Sequence, residues 1–203
     1  MISLNTVKAD SMPEQRARKV YEVAAGDSGG RLMVTRKAGE AVREELAQML
    51  EALPKGGVLY VDTRGLELMD YSFADEALGI LASRLTSGEY GERHLVLVEG
   101  ERDLLENVEA SLRQRSLALI RVDSPDDESP AVVGDVPEHL LETLQAIHEA
   151  GSITNADLAK KLGLNHTACN NRGTKLVKLG LIHRRANTAA PGGRQYTYER
   201  IAP

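Results

Sequence analysis

The chain has 203 residues, 42% of them hydrophobic and 27% charged, with a formal net charge of −5. That length holds one large domain or two modest ones, each able to bury a core. A single Cys excludes an internal disulfide framework, and with one Phe, six Tyr and no Trp the core is aliphatic. No apolar run reaches the roughly 18 residues that a membrane span needs. Residues 1–8 lack the basic n-region and long h-region of a secretory signal, so a cytoplasmic protein is expected.

The N-terminal half alternates strand and helix patterns. Residues 2–7 read as an edge strand and residues 13–25 as an unplaced helix. Gly30-Arg-Leu-Met-Val-Thr35 is a strand candidate, followed at near-helical spacing by Ala38, Ala41, Val42, Leu46, Met49 and Leu50. Val58-Leu-Tyr-Val61 is a nearly all-apolar strand, as expected where both faces of a sheet are covered. Phe73, Ala74, Ala77, Leu78, Leu81 and Leu85 mark a helix, then 94–98 a strand, 104–112 a helix and 117–122 a strand. Such alternation predicts right-handed crossovers and a largely parallel sheet.

Catalytic and cofactor signatures are missing from this half. The glycines at 29–30, 56–57 and 65 form no GxGxxG or GxxxxGK[ST] loop, and no GxSxG elbow occurs. The five histidines, at 94, 139, 148, 166 and 183, are scattered rather than spaced as metal ligands. No enzyme, no cofactor and no metal site are expected. Asp62 and Asp70 read as turn carboxylates, since no base or ligand set accompanies them. Ser72-Phe-Ala-Asp75 reads as a capping box at a helix start.

The segment Val61-Asp-Thr-Arg-Gly-Leu-Glu-Leu-Met-Asp-Tyr-Ser-Phe-Ala-Asp-Glu-Ala77 resembles the STAS-like family of bacterial domains, over roughly residues 30–122. Its hallmark is a strand ending in Asp, a Gly-containing turn, and Ser-Phe-Ala-Asp-Glu at a helix start. More distantly it is similar to anti-sigma-factor antagonists, whose Asp-Ser-Ser-Gly segment carries a phosphorylatable serine. The resemblance implies partner binding or signal input, with Ser72 in the place of that serine and Tyr71 and Phe73 departing from the pattern. Phosphate on Ser72 would sit at the positive end of a helix, opposed by Asp70, Asp75 and Glu76. Two readings of Ser72, cap and switch, stand side by side.

Asp123-Ser-Pro-Asp-Asp-Glu-Ser-Pro130 is polar, acidic and Pro-containing, and reads as a linker. The expected organisation is an α/β domain over 1–123, a linker over 124–135 and a second domain over 136–203. Val136, Leu140, Leu141, Leu144 and Ile147 give an amphipathic helix that Gly151 ends. Thr154-Asn-Ala-Asp157 caps a short helix stopped by Gly163, and Asn165 caps a third over 166–179. Its inward set is Ala168, Cys169, Leu176 and Leu179. Gly173 lies inside it at a cost of roughly 1 kcal/mol against Ala, a place for close packing or a bend. Residues 181–185 and 195–201 read as two strands around a tip at 190–194. Helix-turn-helix followed by a ribbon reads as an α+β winged helix.

Asn155-Ala-Asp-Leu-Ala-Lys-Lys-Leu-Gly-Leu164 resembles the positioning helix and turn of winged-helix bacterial regulators, and 167–182 their recognition helix and exit to the wing. Charge agrees. Residues 136–203 carry +4 and residues 1–135 carry −9, and 165–203 hold seven Lys/Arg against Glu199 alone. Such a local excess is a footprint for phosphate. His166, Thr167, Asn170, Asn171 and Lys175 are expected at base edges. Lys178, Arg184, Arg185 and Arg194, with Lys175, are expected on phosphates or, at the wing tip, in the minor groove. The expectation is a DNA-binding transcriptional regulator of double-stranded DNA, as a homodimer on palindromic sites, with the α/β domain as input. The alternative is a signalling scaffold switched at Ser72, its winged helix docking protein.

Overall fold

The computed structural model describes residues 16–25, 31–99, 101–127, 130–189 and 193–202, with the side chains of 25, 187–189, 193 and 194 left undescribed. The expected edge strand at 2–7 and the tip residues 190–192 lie outside the described residues. The elements, in chain order, are β1 (Arg18–Glu22), a 3-10 turn (Val23–Ala25), β2 (Leu32–Met33), α1 (Arg36–Ala52), β3 (Val58–Asp62), β4 (Leu68–Met69), α2 (Tyr71–Ala74), a π-helical turn (Asp75–Gly79) and α3 (Ile80–Thr86). There follow β5 (His94–Val98), α4 (Arg102–Gln114), β6 (Ala118–Val122), β7 (Ala131–Gly134), α5 (Glu138–Ala150), β8 (Ser152–Thr154), α6 (Asn155–Lys161), α7 (His166–Lys178), β9 (Ile182–Ala189) and β10 (Gly193–Arg200).

The main sheet runs β1-β3-β5-β6-β7, with β1, β3, β5 and β6 parallel and β7 antiparallel to β6. Two sequence expectations are corrected here. Residues 18–22 form a strand, the first among the described residues, and not part of a helix, pairing Arg18–Glu22 with Val58–Asp62. Its signal is weak because an edge strand is shielded by charge rather than by apolar residues. The 30–35 candidate contributes only Leu32–Met33, which pairs with Leu68–Met69 in a small separate sheet. The segment read as a linker also holds structure: β7 pairs Ala131–Gly134 with residues 118–121.

Alternation along each central strand divides the core into two. Leu59, Val61, Leu95, Leu97, Leu117, Leu119 and Val133 face a layer built from α1, the 71–86 helix and α4. Val58, Tyr60, Val96, Val98, Ala118, Ile120 and Val122 face the other way, into one continuous core with Leu144, Ile147, Leu158, Leu176, Leu181, Ile182 and Tyr198. The C-terminal unit is therefore the second layer on the sheet. Polar contacts reinforce the seam: Arg16 is hydrogen-bonded to Glu199, and His94 Nδ1 lies 3.2 Å from the Gly180 carbonyl. The His94 and His183 rings meet edge to face with centroids 5.7 Å apart. Burial pushes the His94 imidazole down to about 4, helped by the charges of His183 and Arg16 against the Gly180 carbonyl.

Candidate nucleic-acid interface

Hydrogen-bonded caps place α7. Thr154 Oγ1 accepts from Asp157 N at the start of α6, and Asn165 Oδ1 accepts from Ala168 N at 2.8 Å at the start of α7. Both helices end in Schellman motifs. Leu164 N donates to Ala159 O and Gly163 N to Lys160 O after α6; Leu181 N donates to Leu176 O and Gly180 N to Val177 O after α7. The left-handed φ of +64° at Gly163 and +76° at Gly180 suits glycine. The two stops aim α7 between the α6 turn and the wing.

On α7, Cys169, Gly173 and Leu176 are buried while His166, Thr167, Asn171, Thr174, Lys175 and Lys178 are exposed. The predicted reading residues thus share one outward face, with one modification. Asn170 is half-buried, and its Oδ1 accepts from the Tyr198 hydroxyl at 3.3 Å. Gly173 makes that approach possible, because a Cβ there would stand 2.5 Å from the Tyr198 hydroxyl oxygen and 2.7 Å from Cε1. Close packing, not a bend, is its role. Burial pushes the Tyr198 phenol up to about 12, and raises the Cys169 thiol, so neither is poised to ionise.

The ribbon pairs β9 with β10 antiparallel, and β8 adds a third strand that sequence reasoning missed. Its three residues follow directly on Gly151 and carry no alternation long enough to read. Alternation sorts the wing cations onto two faces. Arg184 Nη1 reaches Thr174 Oγ1 at 3.3 Å, and its guanidinium lies 4.7 Å from the Tyr196 ring centroid, on the α7 side. Arg185 turns to the opposite face, where its Nη2 lies 3.3 Å from Glu199 Oε1 beside Arg16. The side chain of Arg194 lies outside the described residues. Arg172 is engaged within the domain, donating to the His139 carbonyl and to Glu142 Oε2 at 3.0 Å.

The Ser72 segment is built differently from the expected capping box. The residue capping the helix is Asp70, whose Oδ1 accepts from Phe73 N at 2.7 Å and whose Oδ2 accepts from Thr35 N at 3.3 Å. Asp precedes Ser72 by two residues and is as good an N-cap as Ser, so the helix starts at Tyr71 and Ser72 stands half-buried in its first turn. Asp75 does not reach back; its Oδ1 accepts from Ser111 Oγ at 2.8 Å and Arg115 Nη2 at 2.7 Å. Glu76 is held by Arg43 and by Arg36. Asp62 accepts from Arg64 N and Nε. Each of these carboxylates serves a turn, a cap or an ion pair. Among the described residues no group of three or more His, Cys, Asp or Glu side chains is placed to hold a metal ion, and no helix is long and apolar enough to cross a membrane.

This arrangement has a known counterpart. Residues 138–183 match the winged helix-turn-helix DNA-binding family. The match spans α5 through the first residues of β9, so the chain carries a winged helix-turn-helix domain in which α6 and α7 form the helix-turn-helix, and the β9–β10 ribbon follows it. No curated protein matches the chain.

Proposed function

We propose that this protein is a cytoplasmic transcriptional regulator. Its winged helix reads double-stranded DNA, and its α/β part, STAS-like in sequence, receives a signal or a protein partner. The carrying observation is the outward face of α7. His166, Thr167 and Asn171 are exposed on its first two turns, with Lys175 and Lys178 following on the same helix. A recognition helix presents its N-terminal residues to base edges in the major groove, and Asn pairs bidentately with adenine. Lys175 and Lys178 supply phosphate contacts at the far end, and Arg184 supplies one at the wing base. Arg194 takes the wing tip. Arg185 supports the seam through Glu199 rather than the DNA. The input part spans 1–123, the acidic stretch 124–135 leads out of it, and the reader spans 136–203. Two copies on a twofold site are the working assembly.

Fluorescence anisotropy with duplex DNA from upstream of the protein's own gene, against a scrambled duplex, tests this. The expected result is preference for the native duplex, with log affinity falling linearly against log salt. Asn171→Ala should relax specificity, and Lys175→Ala should reduce the salt slope by about 1. Absence of binding to either duplex at low salt would overturn the reading.

A further inference from the structure

An open groove of about 640 Å³ runs between β7 and the sheet on one side and α5 with the end of β10 on the other. One wall is apolar: Ile120, Val132, Leu141 and Leu144. Leu141 is 40% exposed, so its side chain is open to an occupant of the groove. The polar end is formed by Arg200, His148 and Gln145. Among the described residues the Arg200 guanidinium makes no hydrogen bond or ion pair, and the two His148 ring nitrogens, both covered, have no hydrogen-bond partner. Glu149, at the rim, is already paired with Lys161 Nζ at 2.8 Å and accepts from the Gln145 amide at 3.2 Å.

We infer that this groove is a binding site for a small apolar monocarboxylate, its tail along Leu141, Leu144 and Val132 and its carboxylate on Arg200. The volume is that of an ordinary small-molecule pocket, and such pockets favour domain seams with a few convergent polar groups. Arg pairs bidentately with a carboxylate, and the His148 ring, whose nitrogens are both covered, contributes wall rather than a donor. Burial, with Arg200 nearby, holds that imidazole down at about 4, so it stays neutral and Arg200 is the one charge at this end of the groove. With Glu149 paired to Lys161, the one unpaired cation matches one negative charge, whereas a phosphate dianion would bring a second charge that nothing in the groove compensates. The site stands beside the DNA reading and does not depend on it. Because its walls come from both layers, an occupant would brace the winged helix against the sheet.

The test is a titration of the full chain, ¹⁵N-labelled, with 4-phenylbutanoate, using 4-phenylbutan-1-ol as the uncharged probe of like shape. A saturable shift of the Ala131, Val132 and Gln145 amides by the carboxylate is expected, with far weaker response to the alcohol. Arg200→Gln should weaken binding by about tenfold or more, the worth of one charge-assisted pair. Leu141→Gln, on an exposed position that leaves the core intact, should weaken it less. Equal binding of acid and alcohol, indifference to Arg200→Gln, shifts confined to the basic face of α7, or no saturable shift would each overturn the inference.

Discussion

Gly173 lies directly beneath the Tyr198 ring, and the phenol reaches past it to Asn170 on the same helix. α7 is thereby clamped to the β8–β10–β9 sheet through a position that has no side chain. Gly173→Ala gains roughly 1 kcal/mol of helix propensity but forces Tyr198 or α7 to move. Overpacking of this kind costs about 1–3 kcal/mol. Chemical denaturation should show a net loss for Gly173→Ala and recovery in the double variant Gly173→Ala/Tyr198→Leu. If Gly173→Ala alone is stabilising, the ring is not a fixed obstacle.

The sheet carries the winged helix as its second layer, so the two parts should unfold together. Full-length protein is expected to melt in one cooperative transition by both circular dichroism and calorimetry. A chain ended after Gly134 keeps β7 but bares Val58, Tyr60, Val96, Val98, Ala118, Ile120 and Val122 on one face. An apolar patch of that extent leads to aggregation or dye binding. Two separate transitions in the full chain would contradict the shared core.

Asp70 and Ser72 can be told apart by stability. Asp70→Ala removes the cap at Phe73 N and the acceptor for Thr35 N, whose residue sits at the strained φ of +88° for a β-branched side chain. A loss of about 1–2 kcal/mol is expected. Ser72→Ala, which removes no cap, should stay within about 0.5 kcal/mol. The reverse order in urea midpoints would restore the capping box at Ser72.

His94 gives the fold an acid-sensitive seam. Its native ionisation is held down to about 4 against an ordinary value of 6.5, by burial and by His183 and Arg16. Between those values the unfolded chain binds a proton that the native chain does not. Stability is therefore full above about pH 6.5 and falls as the pH drops toward 4. His148, also held at about 4 by burial and Arg200, adds in the same direction. Urea midpoints measured from pH 7 to 4.5 should fall, and His94→Gln should flatten part of that decline. An unchanged slope in His94→Gln would assign the effect elsewhere.

Most helices were legible in the sequence because their signals are local. Thr154, Asn165, Gly151 and Gly163 stand where the caps and stops form, and the 3.6-residue pattern of α1, α4 and α5 is strong. What escaped was set by long-range pairing. β1 carries only one aliphatic residue, Val20, and becomes a strand through its partner 58–62. Residues 131–134 look like the tail of an acidic linker until β6 pairs with them. The nearly all-apolar β3 and β5 showed that both sheet faces are covered, but not that the second cover is the winged helix. At the candidate interface, spacing on α7 found the outward residues. It missed the Tyr198 hydroxyl on Asn170, because the wing strand comes back from 28 residues away.

The exit from the sheet leaves almost no slack. Asp135 N still donates to Leu117 O at 2.9 Å, and Pro137 already caps α5. Only Val136 lies between them, itself packed into the shared core. Gly134, at φ +112°, presses so close to β6 that a Cβ would stand 2.9 Å from Ala118 Cα. The winged helix thus rides on the sheet as a gear tooth does on its wheel, not as a weight on a string. In a pair of chains joined through their sheet units, the distance and angle between the two α7 helices would be dictated by how those units meet. The number of base pairs between half-sites would then be a property of the α/β part, which need never touch DNA.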